Sequence, residues 1–286
     1  MKASLLSLLL FFLLTVLMRG QSPKRDTSAP KGGWVVPTAE ELKKVEAAIP
    51  AKLPVKPKRD RKLLVYSLSH GFKHNSRLIG EEMLKLIEGK TGAFSMTINN
   101  DSTQWTTAYL KQFDAIAVLN ATGLHNGFKD ESRQAFLDFV YDGGGLFGCH
   151  AATDGGKKWW PEYSELWGGA FGGHPWGKTG TWRIQNYDPR HALNKCFHGD
   201  GFDINDELYR QIHPYRKGCF RTLTCIDLSA KQNTHNNNGK IKTVPPEKER
   251  KPGEPKPANV PLNLEREYPT SWCKKAGKGR VFYATF

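Results

Sequence analysis

The chain has 286 residues, 42 Lys and Arg against 28 Asp and Glu, a net charge of +14 and five cysteines. That length holds one large domain or two small ones with a substantial core. Residues 63–230 carry 17 basic against 18 acidic side chains, so the excess charge sits in the flanks. No folded face is left that could track phosphates, and nucleic acid is not an expected partner.

From the N-terminus, Lys2, an apolar run from Leu5 to Met18 and then Arg19-Gly20 read as a secretory signal over residues 1–20, with a cut near Gln21. An uncleaved N-terminal anchor is the alternative. The mature chain is expected to be secreted or periplasmic and to meet a membrane only through that segment. Residues 21–61 are rich in Pro and Lys and read as a flexible basic leader with one amphipathic piece, Glu40 to Ile49. In an oxidising compartment an odd number of cysteines leaves at least one thiol free. Cys219 and Cys225 are close enough in sequence to pair, and a domain of this size does not need disulfides as its main support.

The fold is expected to begin at Lys62–Ser67, an apolar run of strand length. A loop through His70 and His74 leads to a helix from about Ser76, ended by Gly89 or Gly92. Phe94 to Ile98 reads as a second strand, Trp105 to Leu110 as a short helix, and Phe113–Leu119 as a buried parallel-type strand. A Gly/Asn loop and a helix from about Asp130 follow. Strand and helix alternating at this pitch predict an α/β fold with right-handed crossovers. From Thr181 strands dominate: Thr181–Tyr187, Phe202–Gln211, Phe220–Leu228, Tyr268–Lys274 and Arg280–Phe286. Residues 231–262 lack an apolar period and read as a disordered insertion within one domain.

The chain is organised around Gly143–Asp154. Gly148-Cys149-His150-Ala151-Ala152 has the shape of a strand-to-helix elbow, whose central residue is strained and displayed beyond the carboxyl end of a strand. His150 is then the displayed residue. Cys149, one place back, points into the fold as buried filler, and a side chain diverging from His150 is a poor nucleophile for it to activate.

That stretch, then Leu166–Phe171 with His174-Pro175, then Asp206-Glu207-Leu208-Tyr209, then Tyr268–Trp272 and Gly277–Tyr283 resemble, in order, the ThuA-like (trehalose-utilisation) family. Phe72-Lys73-His74 also fits, and the resemblance covers residues 62–286 apart from the insertion. It implies a flavodoxin-like, class I glutamine amidotransferase-like, mostly parallel sheet with helices on both faces, and a link to disaccharide metabolism. In the amidotransferases the elbow carries a Cys; in the ThuA-like pattern a His stands there, as His150 does. The chain departs from the pattern at Cys149, where an aliphatic residue is usual, and by ending before the Gly-His that commonly follows the last strand, so a truncated C-terminus is expected.

His74, His150 and His174 should meet at the carboxyl edge of the sheet, where an imidazole can pass a proton to or from a sugar hydroxyl. Three imidazoles with a carboxylate could instead hold a divalent metal, although their spacing matches no compact ligand motif. His70, His191 and His213 are expected to be structural. On an extended strand Glu207 and Tyr209 share a face. We therefore expect His150, His174 and Glu207 to be catalytic and His74, Tyr209, Trp176 and Asp154 to bind substrate. Six tryptophans near these loops (Trp159, Trp160, Trp167, Trp176, Trp182, Trp272) suit a sugar ring, with Trp176 placed at the pocket. The expected function is His-mediated chemistry on a carbohydrate, a disaccharide or keto-glycoside, by a hydrolase, lyase or isomerase without a Cys nucleophile. No cofactor is expected, a divalent metal on His74, His150 and His174 being the exception left open. A sugar- or protein-binding module and a metal-dependent hydrolase are the alternatives, and homo-oligomerisation stays open.

Overall fold

Lys62–Tyr66 forms β1, and its last four residues are all buried. The strand is covered on both faces, which is why its apolar run does not alternate. The helix Arg77–Thr91 follows, turning Met83, Leu84 and Ile87 inward. Gly92 closes it at φ +59°, a left-handed conformation that glycine adopts without a Cβ clash. β2 (Ser95–Ile98), β3 (Ala115–Leu119) and β4 (Gly145–Cys149) complete the first run of strands, with the helix Asp130–Tyr141 between the last two. The loop after β3 also contains a short helix, Leu124–Gly127, that its Gly/Asn composition did not announce. These elements come from a computed structural model, which describes residues 35–286 except 52, 54, 178, 247–254, 256 and 257. The expected signal and the first part of the leader lie outside the described residues.

The remaining strands are β5 (Ala170–Phe171), β6 (Thr181–Asn186), β7 (Phe202–Asn205), β8 (Gln211–Ile212), β9 (Arg221–Ile226), β10 (Thr243–Val244), β11 (Val260–Pro261), β12 (Pro269–Ala276) and β13 (Gly279–Ala284). One nine-stranded sheet has the order β2-β1-β3-β4-β13-β12-β9-β6-β7. Its first five strands are parallel, in the 2-1-3-4-5 arrangement of flavodoxin-like sheets. The last four are added antiparallel. Alternate residues of β1 feed two cores: Leu63 and Val65 on one face, Leu64 and Tyr66 on the other. The chain is thus an α/β protein of flavodoxin-like, amidotransferase-like architecture.

Strand sense decides where the site lies. β1, β3, β4 and β13 all end at one edge. Counting antiparallel steps from β13 through β12, β9 and β6, β7 runs in the same sense and ends at that edge too. Phe202 of β7 packs against Phe286, just beyond β13, so the antiparallel end curls back toward the parallel half.

Two expectations change. Phe202–Gln211 is not one strand: β7 stops at Asn205, and β8 resumes in a separate pairing with β5. The break starts where the Asp206 carboxylate accepts the Glu207 backbone N–H, a local bond that competes with the ladder. The described residues of 231–262 also differ from a segment without structure. Asn233 is fully buried, donating to the Arg183 and Asp227 carbonyls and accepting from Arg183 N, while Val244 and Leu262 enter the core. The segment docks by side-chain-to-backbone bonds, so no apolar period marks it. In the leader, the helix Ala39–Ala48 has a Thr38/Glu41 capping box and buries Val45. Val45 and the following Ile49 join the same core as Leu84 and Ile87. Among the described residues no helix is long and apolar enough to cross a membrane.

Candidate functional site

β4 delivers the chain to the elbow. His150 sits at φ +49°, a strained conformation for a side chain of its size, and opens a 3-10 turn, His150–Thr153. A Cβ at Gly148 would lie 2.4 Å from the Trp167 ring and 2.9 Å from Ala152 Cβ, so the small residues around His150 are demanded by packing. Two buried phenols hold the turn's carbonyls: Tyr283 donates to His150 O at 2.6 Å and Tyr163 to Ala152 O at 2.7 Å.

Cys149 points away from this site, into the core shared by Phe147 and Phe282, with Sγ 3.5 Å from Asn120 Oδ1. Burial pushes its thiol up to about 12, so thiolate is scarce at neutral pH. All five cysteines are free. Iodoacetamide at pH 8 is expected to leave Cys149 unmodified in the folded chain and to label it in urea. Peptide mass spectrometry checks this, and rapid labelling of folded Cys149 would contradict the buried-filler assignment.

The His150 ring is fixed from both ends. Nδ1 lies 2.8 Å from the Thr285 carbonyl, which can only accept, so Nδ1 carries the proton. Nε2 faces Glu207 Oε1 at 3.0 Å and the Tyr209 hydroxyl at 3.0 Å. With the ring's one proton on Nδ1, Nε2 and Oε1 would face each other lone pair to lone pair, a contact that a proton or cation between them relieves. Tyr209 also reaches His74 Nε2 at 3.1 Å and Glu207 Oε1 at 3.2 Å. His74 Nε2 stands 3.6 Å from Glu207 Oε1, while His174 Nε2 stands 3.6 Å from the other oxygen, Oε2. His174 is the most exposed of the three histidines, its side chain 31% accessible. Glycine-rich residues 172–177 place it, laced to the Tyr209 segment by Gly172 N to Arg210 O and Arg210 N to Gly173 O.

Glu207 is the hub. Burial alone would raise its carboxyl pKa, but hydrogen bonds from His150 and His74 and the charges of His150 and His174 outweigh that and hold it well below the ordinary carboxylate range. Burial, with Tyr283 and Glu207 nearby, pushes the Tyr209 phenol far up, so it stays a neutral donor. Asp206 is raised, chiefly by burial.

The structure gathers His74, His150, His174, Glu207 and Tyr209. It does not bring Trp176: that indole is 5% exposed, donates to Asn233 O and meets Tyr268 edge-on, so it is core and offers no face to a ligand. Trp160, Trp167, Trp182 and Trp272 are likewise buried, whereas Trp159 is exposed, stacked on His125. Asp154 pairs with Lys157 at 3.0 Å. His70 bonds Tyr66, and His191 caps the turn at Leu193, both structural as expected.

Four features escaped sequence reasoning. The Thr285 carbonyl is a backbone atom and leaves no side-chain signal. Phe171 lies inside a quoted motif and packs its ring 4.4 Å from Tyr209. Lys157, at φ +53°, places Nζ 5.0 Å from the Phe171 ring centre. Phe72 is 70% exposed and meets His74 edge-on. These residues add aromatic rings and a cation beside an otherwise polar cluster.

Comparison with known proteins agrees with this architecture. The sequence model of the ThuA family, described as trehalose utilisation, matches residues 62–286. A ThuA-like protein of Bacteroides uniformis superposes with a TM-score of 0.58 at 20% identity, over 82% of this chain and 85% of that one. A ThuA-like protein of Parabacteroides merdae gives a TM-score of 0.53 at 18% identity, over 79% of each chain. At such identities the likeness is one of fold. No curated protein matches the sequence.

Proposed function

The chain belongs to the ThuA family, and from that premise we propose that it acts on a disaccharide or keto-glycoside by histidine-mediated proton transfer around Glu207. The observation that carries this reading is that two histidines address opposite oxygens of one carboxylate, His150 at Oε1 and His174 at Oε2. A carboxylate so placed stabilises an imidazolium and orients the ring. His150 is buried and pinned through Nδ1, so it fixes the carboxylate. His174, reaching solvent, is the group that takes a proton from, or returns it to, a substrate hydroxyl or a carbon beside a keto group. Tyr209 donates a hydrogen bond to substrate oxygen, and Phe171 and Phe72 cover the apolar faces of a sugar ring. The apolar N-terminal run supports export of the mature chain.

The test is mass-spectrometric turnover of trehalose, other disaccharides and their keto forms, beside His150→Ala and His174→Ala. Product from the natural chain that is lost in both variants is expected. Saturable binding with no consumption of any of them would replace the enzyme reading with a sugar-binding module.

A further inference from the structure

We propose that the elbow site is a divalent transition-metal centre, with His74 Nε2, His150 Nε2 and Glu207 Oε1 as its protein ligands. The three atoms come from three separate segments: the loop after β1, the elbow after β4 and the break after β7. They lie within 4.8 Å of one another. An ion with bonds of about 2.0–2.2 Å holds tetrahedral ligand atoms about 3.3–3.6 Å apart. The carboxylate oxygen stands 3.0 Å from His150 Nε2 and 3.6 Å from His74 Nε2, two edges close to those of such a ligand shell.

A proton is the other charge that could relieve the facing lone pairs. One proton serves only one of the two imidazole–carboxylate contacts. A second would set two imidazolium rings side by side, their centres 4.6 Å apart, with one carboxylate to neutralise both. A single divalent ion answers both contacts at once. The bond from His150 Nδ1 to the Thr285 carbonyl is the outer-shell support that fixes a metal-bound imidazole, leaving Nε2 as the ligand nitrogen. Two imidazoles and one carboxylate select borderline ions such as zinc over magnesium or calcium, which take oxygen donors. Three protein ligands leave a fourth tetrahedral position, and the Tyr209 hydroxyl stands beside the set, 3.0 Å from His150 Nε2 and 3.1 Å from His74 Nε2. Glu207 Oε2 and His174 remain outside the set and keep the proton-transfer role. The metal belongs to the cleft of the function proposed above and rests on that reading only for its location, because ion binding is measured without substrate.

The experiment uses the untagged chain, stripped with chelator, dialysed against zinc and assayed by plasma mass spectrometry. Cobalt(II) is the second probe, read by its visible absorption. One ion per chain is expected, with affinity lowered at least about 100-fold in His74→Ala and in Glu207→Gln, since even outer-shell changes cost 10–100-fold. His213→Ala, an exposed histidine elsewhere, should bind like the natural chain. Circular dichroism confirms that each variant is folded, and the conservative Glu207→Gln guards against a variant that fails to fold. Equal zinc affinity in the natural chain and both site variants, or no ion retained by the natural chain, would overturn the proposal. Stoichiometric zinc lost in the variants, with no glycoside turned over, would uphold the metal centre and count against the glycoside reading alone.

Discussion

Glu207→Gln is expected to lower turnover by about 10²–10⁴-fold, the range that a positioned acid–base group supplies. Gln keeps the shape of the side chain but carries no negative charge, so His150 at Oε1 and His174 at Oε2 lose their anionic partner at once. KM should move far less than kcat, because the aromatic rings of Phe171 and Phe72 are untouched. The same carboxyl links stability to pH. Its folded pKa is depressed below the ordinary 4.5, despite burial, by hydrogen bonds and charge from the histidines. A depressed carboxyl contributes stability above its unfolded pKa and loses it as pH falls through the folded value. The natural chain should therefore be more stable than Glu207→Gln at pH 6, with the gap closing as pH drops below about 4.5. Steady-state rates and urea midpoints across that range check both statements. A rate loss under tenfold would remove Glu207 from the chemistry, and a gap that widens in acid would reverse the sign of the linkage.

Trp272→Ala should cost about 3–5 kcal/mol of unfolding free energy, the usual loss for deleting a fully buried indole. Trp272 is completely buried, stacked on Phe220 at 4.5 Å and 10°, and 4.4 Å from Tyr283. Its Nε1 donates to the Trp167 carbonyl at 2.9 Å, and the helix Pro161–Trp167 braces Gly148 through the Trp167 ring. The cavity would also loosen Tyr283, whose hydroxyl holds the His150 carbonyl. The variant should thus lose site order along with stability. Trp272→Phe keeps the stack but strands the Trp167 carbonyl, a deficit of about 1–3 kcal/mol. Urea unfolding of the three chains orders them natural, Phe, Ala. An alanine variant within about 1 kcal/mol of the natural chain would show that the cavity collapses without cost.

The parallel half of the sheet was legible because its signals are local. A strand covered on both faces must be apolar throughout, as Ala115–Leu119 is, and a helix packed on one side must repeat its apolar residues, as Met83, Leu84 and Ile87 do. The elbow was legible for the same reason: only small residues tolerate the approach of Trp167 and Ala152 to Gly148, so the requirement is written as Gly and Ala around His150.

Trp176 shows where that legibility ends. Its flanking His174, Pro175 and Gly177 say that it lies in a loop, and nothing in them says that its ring turns inward to meet Tyr268 and Asn233. The break at Asp206 likewise depends on a backbone bond that competes with a strand ladder, and the apolar pattern of Phe202–Gln211 carries only the ladder's half of that contest.

The sequence by itself determined the order of elements, the strained histidine and the inward thiol, because each follows from sterics and periodicity within a few residues. Only the tertiary structure decided that Glu207 lies between His150 and His174 and that the Thr285 carbonyl fixes the His150 tautomer. Those contacts join residues up to 135 positions apart. Strand sense and sheet curl set them, and a carbonyl acceptor belongs to every residue alike, so no residue type announces it.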